Sequence, residues 1–165
     1  MGDDNWSRME KLMSNETIDA VCSTLAEIAT TQERFFSIVL HGGEPFLFGT
    51  KRLSYLLSGL RNVLDSNYPI SIQTNGVLIT NEILDVCSKY QVSVAVSIDG
   101  PELVHNKFRV DHKSEGTFEN VVNGIEVLQS HPDVDFLYAG VLAVIDPKSD
   151  PAEVYTFFKI VDFGM

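Results

Sequence analysis

Apolar residues along the chain follow two different spacings. In four segments they recur every three or four residues, as between Ile18 and Ala29, and this spacing predicts amphipathic helices. Ser14 or Asn15 is the predicted N-cap of the first helix, and Thr80 is that of the third. A fifth helix is predicted by its start, with Asp150 as N-cap and Pro151 at the first helical position. Between the helices, short apolar runs predict four β-strands at residues 36–41, 69–76, 92–100 and 136–145. The chain therefore reads as one helix followed by four strand-and-helix units.

Strands that alternate with helices predict βα units. Parallel neighbours need a crossover connection, which a helix provides while it covers one face of the sheet. The predicted strands read as continuous apolar runs, so we expect both faces of the sheet to be buried. The fold class is therefore α/β with a parallel sheet, either an open doubly wound sheet or a (β/α) barrel. Both architectures carry their chemistry at the carboxyl ends of the strands.

The composition narrows the classes of function. The chain has 165 residues, 44% hydrophobic and 21% charged, which fits a single domain with its own core. Lys and Arg number 12 against 23 Asp and Glu, and the net charge of -11 argues against nucleic acids or anionic membranes as partners. The first residues do not resemble a signal peptide, and no apolar run reaches membrane-spanning length. Cys22 and Cys87 fall on apolar faces of predicted helices, so we expect a reduced, cytoplasmic protein.

Polar residues follow three successive predicted strands. The motif "HGGEP" (41–45) ends the first strand, "QTNG" (73–76) the second and "SIDG" (97–100) the third. Because the carboxyl ends of parallel strands lie at one edge, we expect these side chains to gather there: His41, Glu44, Gln73, Asn75, Ser97 and Asp99. Each motif alone also fits an ordinary turn, since Asn-Gly and Asp-Gly are common turn dipeptides. Three such motifs in succession favour a functional site.

The Gly42-Gly43 pair allows the backbone to approach a bound ligand closely, because neither residue carries a Cβ atom. Glu44 can accept a hydrogen bond from an ammonium group or tie down the loop, and Pro45 stiffens its exit. The Lys and Ser or Thr of a phosphate-binding P-loop do not follow these glycines. The loop therefore suits a ligand with an amino group better than a phosphate.

The segment between Asp99 and Thr117 is long for a βα connection, and long ordered loops are often functional. Arg109 is its main candidate, because a guanidinium can hold a ligand carboxylate through two parallel hydrogen bonds. The alternative is a surface ion pair of Arg109 with Asp111 or Glu115.

Three motifs carry a resemblance to a known family. "HGGEPFL", "ISIQTNGVLIT" and "VSVAVSIDGPELVHNKFR", in this order and spacing, resemble the middle of a radical S-adenosylmethionine (radical SAM) enzyme. The most similar branch contains the anaerobic sulfatase-maturating and peptide-modifying enzymes that carry a C-terminal SPASM region. The resemblance runs from Lys11 to Phe158. It implies a partial (β/α) barrel of the radical SAM type with four βα units present, and residues 1–165 as a single incomplete core domain.

The resemblance also implies roles for the side chains that are predicted to gather at this edge of the sheet. The family's Gly-Gly-Glu loop binds the methionine amino group of S-adenosylmethionine. Ser97 and Arg109 resemble the positions that hold ribose hydroxyls and the cofactor carboxylate, and Gln73 and Asn75 resemble residues near cofactor and substrate. The expected cofactor-binding residues are Gly42, Gly43, Glu44, Pro45, Gln73, Asn75, Ser97, Asp99 and Arg109. No residue is assigned as a catalytic acid or base.

The family implies an oxidoreductase. Its members cleave S-adenosylmethionine reductively at a 4Fe-4S cluster, and the 5'-deoxyadenosyl radical then removes a hydrogen atom from the substrate. The substrate expected here is a side chain of a peptide or protein.

Two features depart from the family pattern. His105-Asn106 stands where the family often has His-Asp, which weakens a carboxylate role there. The CxxxCxxC motif, whose three thiolates hold the 4Fe-4S cluster, does not occur in the sequence. We therefore expect the cluster in a longer parent enzyme and this chain to be an inactive internal piece of it. Such a piece would expose the edge of its first strand, so we also expect self-association.

Two other functions stay open. The chain can be a cluster-free module, a regulator that binds S-adenosylmethionine or a protein. It can instead be a metal-dependent (β/α) hydrolase with four residues around the ion: His41, Glu44, Asp99 and His105. The Gly-Gly pair has no role in such a hydrolase. His105 and His112 with Asp111 do not match a closed zinc pattern, and a solvated loop is the expected interpretation of that segment.

Overall fold

The computed structural model describes Glu10 and residues 12–160, so the two ends of the predicted 1–165 domain lie outside the described residues. Its strands are β1 (Ile38–Leu40), β2 (Ile70–Thr74), β3 (Val92–Ser97) and β4 (Tyr138–Leu142). Its helices are α1 (Asn15–Thr31), α2 (Gly49–Val63), α3 (Asn81–Lys89), α4 (Glu102–His105), α5 (Phe118–Gln129), α6 (Val134–Leu137) and α7 (Pro151–Ile160). A 3-10 turn spans Pro45–Phe48. None of the helices in this part of the chain is long and apolar enough to cross a membrane.

The four strands are parallel and lie in the order β1-β2-β3-β4. Each connection therefore leads to the next position in the same direction, and right-handed crossovers place the helices on one face of the sheet. A doubly wound sheet needs a reversal of the strand order, with helices on both faces. Of the two predicted architectures, the protein has the partial (β/α) barrel.

The two faces of the sheet differ in chemistry. In β2 and β3, the side chains that face the helices are buried, as Ile72, Val94 and Val96 show. The alternate side chains are small or polar and half-buried, as Ser71 and Ala95 show. The expectation of two buried faces was wrong, because Ser and Ala interrupt runs that look continuously apolar in the sequence. The half-buried face is the inner face of the partial barrel.

Predicted N-caps begin three of the helices. The Ser14 hydroxyl accepts a hydrogen bond from Thr17 N–H at the start of α1, and the Thr80 hydroxyl accepts one from Ile83 N–H at α3. The Asp150 carboxylate accepts from Ala152 N–H at the start of α7. Each cap satisfies a backbone donor that lacks a partner in the first turn of a helix. These starts were predictable because capping is a local interaction.

Two short helices were not predicted. The helix α4 lies in the segment expected to be a solvated loop, and α6 includes Phe136 and Leu137, the first two residues of the predicted fourth strand. Both have four residues. A helix of barely one turn shows no periodic apolar pattern, so the sequence carries little signal for it.

Gly124 brings α5 close to the turn that follows β2. A Cβ atom on Gly124 would lie 2.1 Å from the carbonyl oxygen of Gly76, which leaves no space for a larger residue. Gly76 has a φ angle of 81°, in the left-handed region that glycine adopts most easily. The "QTNG" turn is therefore held from behind by a helix.

The guanidinium of Arg61 binds four backbone carbonyls at the amino-terminal end of the sheet. It donates to the oxygens of Asp65 and Tyr68, which precede β2, and to those of Tyr90 and Gln91, which precede β3. Gln91 has a φ angle of 53°, an uncommon value for a residue with a side chain. Burial lowers the pKa of Arg61, with attraction from Asp65 opposing the shift. Arg61 thus fixes the entry to two neighbouring strands.

We expect Arg61→Lys to destabilise the chain, because an ammonium group keeps the charge but cannot reach four carbonyls in one plane. Loss of two or more charge-assisted hydrogen bonds should cost about 2 kcal/mol or more. In a chain of this size that lowers Tm by about 4–8 °C, measured by circular dichroism. Arg52→Lys is the matched control, since Arg52 is half-exposed on α2 and donates to the single carbonyl of Met13. An equal Tm for the two variants would contradict the role of Arg61 in holding the four backbone carbonyls.

The strands β1 and β4 are the edges of the sheet, and each pairs on one side only within the described residues. Exposed apolar side chains lie on both, Val39 on β1 and Leu142 on β4. Unpaired N–H and C=O groups on an edge strand can pair with another chain. The predicted self-association therefore has a structural basis at either edge.

We expect the apparent mass of the chain to rise with protein concentration in light scattering. Val39→Lys should reduce this rise, because a charge on an edge strand opposes edge-to-edge pairing. Tyr155→Lys is the control, since Tyr155 is also exposed but lies on α7. A monomer at high concentration, or equal reduction by both substitutions, would count against self-association through the sheet edge.

Candidate functional site

The loops after β1 and β2 meet at the carboxyl-terminal edge of the sheet, and Glu44 joins them. Its Oε1 accepts hydrogen bonds from Phe46 N–H at 3.1 Å and from the Thr74 hydroxyl at 2.7 Å. Its Oε2 accepts from Asn75 N–H at 2.8 Å. Of the two functions considered for Glu44, the carboxylate therefore ties down the loop. A carboxylate has about four acceptor positions, so Oε2 can accept one further donor.

The Gly42-Gly43 pair forms the exposed tip of the first loop. Gly42 has a φ angle of 138°, and a Cβ atom on either glycine would meet nothing within 4 Å. Space for a ligand therefore exists beside this backbone. Pro45 begins the 3-10 turn directly behind the glycines and limits the freedom of the loop. His41, next to them, is exposed.

The ends of β2 and β3 are joined by a side-chain contact on the inner face of the sheet. Gln73 Nε2 donates to Ser97 Oγ at 2.8 Å, which leaves the Ser97 hydroxyl proton free to donate elsewhere. Asn75 has a local function, because its Oδ1 accepts from Val77 N–H within the turn. The predicted gathering of "HGGEP", "QTNG" and "SIDG" at one edge is therefore what the fold produces.

Asp99 is buried, with 6% of its surface exposed, and it pairs with Arg109. Arg109 Nε donates to Asp99 Oδ2 at 2.6 Å and Arg109 Nη2 to Asp99 Oδ1 at 2.9 Å. Val144 N–H donates to the same Oδ1 at 2.9 Å. Burial raises the pKa of Asp99, but the hydrogen bonds from Arg109 and Val144 and the nearby positive charge outweigh it, so the pKa lies below its ordinary value.

The alternative ion pair of Arg109 with Asp111 or Glu115 was therefore wrong. Asp111 Oδ1 instead accepts from the backbone N–H groups of Lys113 and Glu115 and shapes its own loop. The guanidinium pairs through two parallel hydrogen bonds, as expected, but the carboxylate that it holds is Asp99 of the protein. The sequence could not show this, because Asp99 and Arg109 lie on either side of α4 and meet only in the folded chain.

His105 stands behind this ion pair and is fully buried. Its Nδ1 accepts from Asp99 N–H at 3.3 Å, and its Nε2 lies 3.1 Å from Thr117 Oγ1. The Thr117 hydroxyl donates to the carbonyl of Arg109, so the proton between His105 and Thr117 belongs to Nε2. Burial, and then repulsion by Arg109, lower the pKa of His105 against attraction by Asp99. The expectation that this residue lies on a solvated loop was wrong.

Asn106 caps the helix that follows the loop. Its Oδ1 accepts from Phe118 N–H at 3.0 Å, and Gly116 leaves space for its amide group. An aspartate oxygen would accept the same bond, so the change from His-Asp to His-Asn preserves a capping function. The capping function of Asn106 explains why this position is polar, and it requires no catalytic carboxylate there.

The candidate hydrolase site is not assembled. No group of three or more His, Cys, Asp or Glu within residues 12–160 could hold a metal ion. Glu44 and Asp99 are engaged by N–H, hydroxyl and guanidinium donors, and His105 uses both ring nitrogens. A metal site formed by His105, Asp111 and His112 is not assembled either, because His105 is buried.

An open cleft of about 540 Å³ lies beside the ion pair. Asp99, Arg109 and Asp146 are its charged lining residues, and the other lining residues are apolar: Phe108, Val144, Ile145 and Pro147. Val144 was not predicted as a site residue, and neither were Thr74 and Thr117, which hold Glu44 and His105. One feature of the sequence could have identified Thr74. It carries a hydroxyl on the buried face of β2, in line with Ile70 and Ile72.

We expect the His105 hydrogen bonds to make stability depend on pH. The folded state keeps His105 neutral with a lowered pKa, whereas the unfolded chain binds a proton near pH 6.5. The contribution of His105 is therefore complete above the unfolded pKa and is lost as the pH falls below it. The gap in Tm between the wild type and His105→Gln should shrink between about pH 7.5 and about pH 5.5.

His112→Gln serves as the control, because His112 is exposed on the same loop and its loss should leave the pH profile of the wild type unchanged. A gap that stays constant or widens toward acid pH would show that His105 is not kept neutral.

Comparison with known proteins agrees with the fold and the motifs. Residues 6–145 match the family described as the radical SAM superfamily. A serine-type anaerobic sulfatase-maturating enzyme of Bacteroides thetaiotaomicron is 29% identical over 157 residues, which cover 92% of this chain and 36% of that protein. A cysteine-type enzyme of Clostridium perfringens is 32% identical over 131 residues, covering 77% of this chain and 34% of its own length.

A solved structure described as native anSMEcpe with bound AdoMet and Kp18Cys peptide superimposes with a TM-score of 0.76 at 26% identity. The alignment covers 92% of this chain and 41% of that one, so the chain spans less than half the length of the proteins it matches. The residues that match the family include the motifs "HGGEP", "QTNG" and "SIDG" and most of the sheet. The chain belongs to the radical SAM superfamily.

Proposed function

We propose that this chain is the S-adenosylmethionine-binding core of a radical SAM oxidoreductase that modifies a side chain of a peptide or protein. The observation that carries the proposal is that two elements suited to an amino acid group follow strands of one parallel sheet at the same edge. The Gly42-Gly43 loop, held by Glu44, offers acceptors for an ammonium group, and Arg109 offers donors for a carboxylate. Both groups occur in the methionine part of the cofactor.

The described residues fit this ligand in three respects. Space is open beside Gly42 and Gly43, where a Cβ atom would meet nothing. The Ser97 hydroxyl proton is available for a ribose oxygen, because Ser97 Oγ already accepts from Gln73. Nη1 of Arg109 makes no hydrogen bond to any described residue, and the side chain lines the cleft. When bound, the cofactor would supply a 5'-deoxyadenosyl radical upon reduction.

The residues that the structure describes do not fit the 4Fe-4S cluster. Cys22 and Cys87 are both buried and lie on different helices. Burial raises the pKa of the Cys87 thiol to about 12, which disfavours the thiolate that iron requires. We therefore propose that the chain binds the cofactor and, without a cluster from elsewhere, forms no radical. The buried thiols also support a reduced, cytoplasmic setting.

The proposed substrate class is supported by the relatives. The relatives named above are called sulfatase-maturating enzymes, and the solved structure holds a peptide. In this chain, four of the residues that line the cleft beside Arg109 are apolar, and Asp146 lines it as well, so the cleft suits an apolar side chain of an extended peptide with a polar group near it. A cluster-free binding module remains the second candidate, because the binding elements occur here without grouped cysteines.

We expect S-adenosylmethionine to bind the purified chain in isothermal titration calorimetry. Arg109→Ala should weaken binding by about tenfold or more, because a charge-assisted hydrogen bond contributes about 1.5–3 kcal/mol. Ser97→Ala should weaken it less, since a neutral hydrogen bond is lost. Arg52→Ala is the control, because Arg52 contacts the carbonyl of Met13 on the helical layer.

Absence of binding by the wild type, or equal binding by Arg109→Ala, would overturn the proposal. The two candidate functions differ after anaerobic reconstitution with iron and sulfide. Formation of 5'-deoxyadenosine by the chain alone would exclude the cluster-free module and the inactivity proposed here.

A further inference from the structure

The guanidinium of Arg109 has two edges that can each grip a carboxylate. One edge consists of Nε and Nη2, and both donate to Asp99. The other edge consists of Nη1 and the second N–H of Nη2, and no described residue accepts from Nη1. A guanidinium has five N–H donors in one plane, so fixing one edge also fixes the direction of the other.

Asp99 has little left to offer a ligand. Its two oxygens accept from Arg109 Nε, Arg109 Nη2 and Val144 N–H, and only 6% of the residue is exposed. Its backbone N–H is also engaged, since it donates to His105 Nδ1. Asp99 is thus held at both its backbone and its side chain, as a residue that orients another side chain must be.

We propose that Asp99 is a positioning residue for carboxylate recognition: it does not touch the ligand, but holds Arg109 so that its free edge receives the ligand's carboxylate. The inference rests on the proposed function and revises the expectation that Asp99 itself binds the cofactor. It also assigns His105 and Thr117 a supporting place, because they anchor the backbones of Asp99 and Arg109 respectively.

The ion pair of Asp99 with Arg109 also influences which ligands the free edge of Arg109 can bind. Asp99 cancels the charge of Arg109, so the free edge is directional but nearly neutral overall. Such a site suits the carboxylate of a zwitterionic amino acid group better than a phosphate, whose binding depends on excess positive charge. Phosphate is therefore expected to compete poorly for this edge.

Electrostatics and positioning make opposite predictions for Asp99→Asn. Removal of the negative charge leaves Arg109 with excess positive charge, which alone would strengthen carboxylate binding. Loss of the two-point grip frees the guanidinium to rotate, which would weaken binding. The asparagine oxygen can still accept from Val144 N–H, so the loop after β4 keeps one of its ties.

The test measures binding of S-adenosylmethionine and of 5'-methylthioadenosine, which lacks the amino acid group, to the full chain by calorimetry. Asp99→Asn should weaken S-adenosylmethionine by about tenfold and leave 5'-methylthioadenosine unchanged, because the carboxylate contact alone is affected. Arg109→Lys, which keeps the charge but loses the fork, should do the same. The double variant should be no weaker than Arg109→Lys, since Asp99 acts through Arg109.

Asp111→Asn is the matched control, because it removes the same charge from the same loop, where Asp111 only accepts local backbone N–H groups. Equal or tighter binding of S-adenosylmethionine by Asp99→Asn would overturn the positioning role while leaving the proposed function intact. If Asp99→Asn does not fold, binding by the double variant cannot be compared with that of the single variants, and the Arg109→Lys variant decides. Unchanged binding of S-adenosylmethionine by Arg109→Lys then overturns the inference. If the wild type binds neither ligand, the proposed function fails and the inference fails with it.

Discussion

A parallel strand can reach its neighbour only through a crossover, and here every crossover leads one position further in the same direction. This constraint puts the helices on one face of the sheet and leaves the other face to small and polar side chains. It also places the loops after β1, β2 and β3 at a single edge. The candidate site therefore follows from the connectivity of the chain before any side chain is considered.

Two carboxylates then give this edge its shape. Glu44 binds donors from its own loop and from the end of β2, and Asp99 binds donors from the loop after β3 and from the segment after β4. Both use the same chemistry, since a carboxylate can accept several hydrogen bonds at once and so connect separate segments. Residues that look like ligand-binding acids in the sequence thus act first as structural links.

The links also determine which groups remain for a ligand. Once Glu44 and Asp99 are engaged, the groups that the described residues leave at this edge for the proposed ligand include the Gly42-Gly43 backbone, the Ser97 hydroxyl proton and the outer edge of Arg109. These groups are fixed in position by contacts behind them, including the buried His105. A site whose partners are held in advance loses less entropy when it binds, which favours recognition of a small, polar ligand.

The sequence alone determined the order of the five longer helices and the four strands, three of the helix caps and the meeting of three motifs at one edge, because these depend on local spacing and on the rule for parallel strands. The choice of partners was decided by the tertiary structure. Arg109 pairs with Asp99 although Asp111 and Glu115 are nearer in the sequence, and His105 is enclosed although it lies in a polar segment. Hydrogen bonds and ion pairs depend on distance and burial in space, which the folding of the segment around α4 creates and which no local pattern in the sequence encodes.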